Sequence, residues 1–349
     1  MHPLPAMILV SSLMTSTSLM AFSSNWLLTW MLLEINTMVI LPIMARTQSP
    51  RAVEACAKYF IIQSVAATTY LFSGLLNVFS SGNWNLFEAS QSFAVALATL
   101  GLSLKLGLAP MHSWMPEVLQ GIDLLTGLLM STIQKIAPII ALLTVPNIFP
   151  ALAMIVGIIS IAIGGWAGLN QTQVRKVLAY SSIAHMGWFV SVIVMSQIVA
   201  VQTVVIYIFM TSSIFLMLKL NLVHTIHKLG ASWAKTPVLA MITPIILLSL
   251  AGLPPLSGFS PKMMILREYT QHDLALPATL MAMLALLSLY FYLRMAYAMG
   301  LTVYPAPATA LATWRPSPST PVAAPLSVAS TSGMMMMPMT PAMTIYLMR

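Results

Sequence analysis

Apolar runs of about 20 residues follow one another almost from end to end of this chain, parted by loops that are mostly only a few residues long. Inside a bilayer the backbone must satisfy its own hydrogen bonds, so runs of this length cross it as helices. The sequence therefore predicts an all-α polytopic membrane protein. A hydrophobic content of 59% and a mean hydropathy of +0.90 agree with that reading. No loop can hold a soluble domain, which excludes a nucleotide-binding or iron–sulfur domain within these residues. The single cysteine, Cys56, excludes an internal disulfide and a cysteine-clustered metal centre. The first apolar run lacks a basic leader and is read as the first span rather than as a cleaved signal.

Hydropathy predicts about eleven transmembrane helices, over 3–23, 26–45, 53–79, 92–121, 124–145, 148–169, 174–195, 198–223, 237–271, 276–300 and 322–347. The last is irregular, broken by Ser327–Ser332 and several prolines, with Met334–Met337 as its dense apolar cluster. Basic residues alternate between loops. Arg46, Arg51 and Lys58, then Arg175 and Lys176, then Lys228 and Lys235, and finally Arg315 fall on one side. The opposite loops, near Ser80–Ser90, Pro146–Asn147, Ser196–Gln197 and Gln271–Ala275, carry no Lys or Arg. The positive-inside rule puts the basic loops and the N-terminus on the side of synthesis, and an odd number of spans puts Arg349 across the membrane. The net charge of +8 thus follows topology and does not call for a nucleic-acid partner. Trp26, Trp30, Trp84 and Trp233 fit an aromatic belt.

Two predicted spans are too long and too interrupted for plain helices. Residues 92–121 carry Gly107, Pro110 and Pro116; residues 237–271 carry Pro254, Pro255, Gly258 and Pro261. Proline removes a backbone donor and clashes with the preceding turn, so each helix must break. These are the fourth and ninth spans. Grouping helices in fives, as 1–145 and 146–300, puts both breaks in the fourth slot of a repeat, and an odd group size makes the two repeats inverted. Residues 301–349 add a loop and a C-terminal helix. Discontinuous helices at matching positions of inverted repeats point to a transporter's working site.

Charge is scarce, at 6% of residues, yet four charged side chains lie inside apolar runs: Glu34, Lys105, Lys135 and Lys262. Ionisable groups at membrane depth are costly and mark ion or proton paths. Glu34 is read as a gate that responds to a neighbouring cation, and Lys105, five residues before Pro110, as its partner. Lys135 lies midway along its span and is read as a central proton relay. Lys262 follows Pro261 in the second break and is read as the far site. His185 occupies the slot in the second repeat that Glu34 occupies in the first, and its neutral-range chemistry suits a relay; His112 follows the first break. Glu54 and Lys58, four residues apart, share a helix face and can pair. His224 and His227 lack the further ligands of a metal site. Nucleotide, phosphate and zinc-hydrolase motifs are absent.

The strings LKLGLAPMHSWMPEV, QKIAPI, QTQVRKVLAYSSIAHMGW and LAGLPPLSGFSPK resemble the antiporter-like membrane subunits of mitochondrial respiratory complex I, and the resemblance covers essentially the whole chain. It implies inverted five-helix repeats with two broken helices, in a form shortened to eleven spans. It implies a proton-translocation axis of Glu34, Lys105, Lys135, Lys262, His185 and His112. The mechanism expected along that axis is that separation of Glu34 from Lys105 lowers the proton affinity of Lys135, which passes its proton towards Lys262. It implies no flavin, iron–sulfur cluster or ubiquinone site in this chain; those belong to other subunits. Expected partners are neighbouring membrane-arm subunits and lipids such as cardiolipin. The expected location is the mitochondrial inner membrane, with the N-terminus and basic loops in the matrix and the C-terminus in the intermembrane space.

Overall fold

The computed structural model describes residues 3–300 apart from Ser90, Leu222, Ala231, residues 233–236 and Pro255. The predicted span 322–347, with Arg315 before it, and the residues Trp233 and Lys235 lie outside the described residues. The chain divides into two compact units, Met1–Ser160 and Ile161–Arg349.

The first unit holds α1 (Pro3–Phe22), α2 (Trp26–Met44), α3 (Pro50–Ser81), α4 (Ser92–Leu106), α5 (Trp114–Gly121), α6 (Leu124–Ser131) and α7 (Ile133–Thr144). Helix α8 (Pro150–Gly168) runs through the boundary. The second unit holds α9 (Val174–Val192), α10 (Gln197–Asn221), the short α11 (Ile226–Gly230), α12 (Pro237–Ala251), α13 (Phe259–Gln271) and α14 (Ala275–Gly300). Six stretches among the described residues are long and apolar enough to cross a membrane, including Trp26–Thr47, Pro50–Ser81 and Leu124–Thr144. Met7–Phe22, Ser92–Leu106 and Ala240–Ala251 are shorter apolar helices, and the last two are the first halves of the broken segments.

Helix α3 is the packing spine of the first unit. Ser49 caps its start, its Oγ accepting from Ala52 N–H at 3.3 Å, and Pro50 fills the first turn, where no donor is needed. Its buried face repeats at three- and four-residue intervals through Ala55, Tyr59, Gln63, Ala66, Ala67 and Tyr70. Small residues there let α4 approach closely: a Cβ at Gly101 would lie 2.7 Å from Thr69 Oγ1. Trp26 belongs to this core and not to an aromatic belt. It is 1% exposed, its ring centroid lies 5.3 Å from that of Tyr70, and Gly74 leaves room for its indole.

Both predicted breaks exist, and they are built alike. Helix α4 ends at Gly107 in the left-handed region (φ 75°), and Leu108 N–H donates to Ser103 O at 2.9 Å. Helix α12 ends at Gly252 (φ 82°), and Leu253 N–H donates to Leu248 O at 3.3 Å. In each case a Gly-Leu pair bonds back five residues, the arrangement that satisfies the last carbonyls of a helix before the chain leaves it. Glycine is needed because a side chain at positive φ meets its own backbone. The chain then restarts as α5 and α13.

A third interruption appears where the sequence predicts an unbroken helix over 124–145. Thr132, between α6 and α7, leaves helical geometry (φ −116°, ψ −77°), and its Oγ1 donates to Leu128 O at 2.7 Å. A hydroxyl that bonds back into the preceding turn competes with the helical ladder for the same carbonyl, here Leu128 O, which also accepts from Thr132 N–H at 3.0 Å. Lys135 sits in the first turn after this interruption.

Candidate functional site

In the first unit, the breaks bring two lysines to one small cavity. Lys105 lies in the last turn of α4, two residues before Gly107, and Lys135 lies in the first turn of α7. They are 5% and 4% exposed and both line the cavity, which is large enough to hold water. Tyr59 and Gln63 from α3, Asn36 from α2 and Gln134 from α7 complete its polar wall, while Trp114 and Pro138 close its apolar side. Gln63 Nε2 donates to Lys105 O at 3.4 Å, and Gln134 Nε2 donates to Asn36 O at 3.2 Å. Tyr59 is fixed by its ring contact with Trp114 at 5.7 Å. Lys105 Nζ, by contrast, has no hydrogen-bond partner. A buried ammonium without a partner is unfavourable, so a water in the cavity or loss of the proton would relieve it.

The structure does not bring Glu34 and Lys105 into an ion pair. Glu34 is half-buried on α2, outside the cavity lining, with Oε2 unpartnered. His112 is also held apart from the cavity lining. It sits in the turn after Pro110, with Nδ1 3.0 Å from Pro110 O. On α3, Lys58 bridges Glu54 at 2.6 Å and, in the first turn of α5, Glu117 at 2.7 Å, so the expected i,i+4 pair on α3 exists and also ties α3 to α5. All three groups are exposed, and the cluster is a surface tether.

The second unit brings together the other two predicted residues. His185 on α9 and Lys262 on α13 line one cavity with Thr203, Tyr207, Leu250 and Gly258. Lys262 reaches back across the break, and its Nζ donates to Ala251 O at 2.7 Å. The cation thus meets the carbonyl end of α12, where the helix dipole is negative and the last acceptors lack helical donors. His185 Nδ1 lies 2.7 Å from Ser181 O. A carbonyl oxygen only accepts, so Nδ1 carries the hydrogen and Nε2 is the basic nitrogen of the neutral ring. The Tyr207 ring, 5.4 Å from the imidazole, holds its plane.

The sequence pattern alone does not single out the amides Asn36, Gln63 and Gln134 or the ring of Tyr59. Their signal is the same as that of the lysines but without charge: polar side chains inside the apolar runs LEINTM, FIIQSV and STIQKI.

Comparison with known proteins gives the two units a common context. Residues 23–288 match the family of NADH:quinone oxidoreductase and Mrp antiporter transmembrane proteins, and residues 289–344 match the NADH dehydrogenase subunit 2 C-terminus. The chain is 51% identical over 348 residues to NADH-ubiquinone oxidoreductase chain 2 of Salmo salar, covering 99% of each sequence. It is 52% identical over 317 residues to the same-named protein of Formosania lacustris, covering 90% of this chain and 91% of the other. Among solved structures it resembles a chain of respiratory complex I from Thermus thermophilus, with a TM-score of 0.86 and 27% identity over 96% of this chain and 78% of that one. The fold also matches a chain of the Mrp complex from Dietzia, with a TM-score of 0.79 at 16% identity over 94% of this chain and 74% of the other. Matches that run nearly end to end at about half identity leave one assignment: the chain belongs to the NADH-ubiquinone oxidoreductase chain 2 family.

Proposed function

We propose that this chain is a non-redox membrane subunit of respiratory complex I that moves protons across the mitochondrial inner membrane. The observation that carries the reading is the recurrence of one device. In each unit a helix is broken by a Gly-Leu cap, and a lysine at the break lines a small cavity with a second proton carrier: Lys135 beside Lys105, His185 beside Lys262. Groups that gain and lose protons, placed one cavity apart in a water-poor interior, suit stepwise proton transfer. Energy comes from NADH oxidation and ubiquinone reduction in other subunits, which also hold the flavin, iron–sulfur clusters and quinone site.

The proton-handling set comprises Lys105, Lys135, Lys262 and His185. Glu34 acts on Lys105 through its field, and His112 borders the first break. The two broken helices belong to inverted five-helix repeats within an eleven-span architecture, with the basic loops and N-terminus in the matrix and the C-terminus in the intermembrane space. Exposed apolar side chains, such as Phe22, Phe79 and Leu276, suit contact with lipids such as cardiolipin and with neighbouring antiporter-like subunits.

A second reading, a monovalent cation/proton antiporter subunit, draws on the fold shared with the Mrp complex. Replacing Na⁺ by K⁺ on both sides of proteoliposomes containing the whole complex separates the two. Proton uptake driven by NADH is expected to stay unchanged; loss of uptake without Na⁺ would favour antiport.

A further inference from the structure

We propose that Asn36 is a positioning residue for proton transfer between Lys105 and Lys135, through a hydrogen bond that its carboxamide nitrogen donates into their shared cavity. The inference rests on the proton-translocating reading above and adds a residue to it. Asn36 lies on α2, is 2% exposed and lines the cavity with both lysines. One contact holds its side chain and another its backbone. Ser16 Oγ on α1 donates to Asn36 Oδ1 at 2.5 Å, and Gln134 Nε2 on α7 donates to the Asn36 backbone carbonyl at 3.2 Å. With the oxygen committed to Ser16, the nitrogen faces the other way, and Nδ2 is buried with no partner.

An unpaired buried amide donor is unfavourable by about 1–3 kcal/mol, and such groups are rare. Here the unsatisfied donor borders the same space as the unsatisfied Lys105 Nζ. Both need an acceptor. Beyond the fixed oxygens of the wall, two species can enter or arise in the cavity to supply one: a water oxygen, or the lone pair of a lysine that has released its proton. In either case the donor at Asn36 acts in one direction. It holds the acceptor in place and favours the deprotonated amine that must receive the next proton. A protonated lysine has only donors and gains nothing from Asn36. The residue would thus lower the barrier for handing on a proton without itself changing charge.

The test uses the assembled complex in proteoliposomes and reads protons translocated per NADH oxidised. Asn36→Asp keeps shape and the bond from Ser16 but puts an acceptor where the donor was; Asn36→Leu removes hydrogen bonding. Asn36→Ser keeps a hydroxyl donor and leaves room for water. The expected result is a ratio at least about twofold lower in the Asp and Leu variants and close to normal in the Ser variant. A normal ratio in Asn36→Asp, or an equal loss in all three variants, would overturn the inference. Lys135→Met serves as the reference. If it lowers the ratio while Asn36→Asp does not, only the role of Asn36 fails; if it too leaves the ratio intact, the proton-translocating reading fails with it.

Discussion

Gly258→Ala is expected to destabilise the second unit by more than about 3 kcal/mol and to deplete the intact complex several-fold on a native gel. A Cβ at this position would collide with the backbone carbonyl of Ser249, with the carbonyl carbon 2.8 Å away. That carbonyl cannot retreat, because it accepts from Gly252 N–H at 2.9 Å in the cap that ends α12. The same crossing holds Ser249 Oγ 3.4 Å from both Gly258 N and Ser257 Oγ. Overpacking against a flexible side chain is relieved by a rotamer change, whereas here two backbone segments would have to part. Their separation would also move Lys262, four residues on, away from the Ala251 carbonyl that it caps. Normal abundance of intact complex with Gly258→Ala would contradict the close crossing.

Lys135→Met is expected to act in the opposite way, sparing assembly and removing function. Methionine roughly follows the lysine stem and keeps its apolar packing, and an uncharged side chain avoids the desolvation that a buried ammonium incurs. Lys135 is 4% exposed, so this substitution relieves a desolvation penalty. Positioned proton-transfer groups contribute about 10²- to 10⁴-fold, and proton uptake driven by NADH should fall at least about tenfold. The measurement compares uptake rates at equal amounts of assembled complex. A subunit that only spaces its neighbours would show no loss.

Much of this architecture is written in the sequence. Hydropathy locates the helices because apolar runs of about 20 residues satisfy their backbone in lipid as helices, and glycine and proline at 107–116 and 252–261 mark the two breaks because they interrupt that hydrogen bonding. Charges in apolar runs mark Lys105, Lys135 and Lys262, and the cavities do contain them. What is not legible from a linear pattern is which side chains meet. Glu34 and Asn36 are two residues apart on α2, about 200° around the helix, so one can line the cavity while the other does not. The scarcity of charge draws attention to Glu34, yet the wall of the cavity is made by the uncharged Asn36. The interruption at Thr132 is hidden for a similar reason. A threonine inside an apolar run commonly bonds back into its own helix, as Thr37 and Thr99 do, so the pattern does not mark the one that leaves helical geometry. Trp26 follows the composition rule for an interface residue, but the small residue Gly74 opposite it makes a core position.

If protons pass through this chain's own lysines, removing one of them lowers the proton yield of the whole complex. The most direct measurement is the number of protons translocated per NADH oxidised by the assembled complex carrying Lys135→Met, reconstituted in proteoliposomes with a soluble quinone. A ratio clearly below that of the unaltered complex is the expected result. An unaltered ratio at a normal rate of quinone reduction would contradict it.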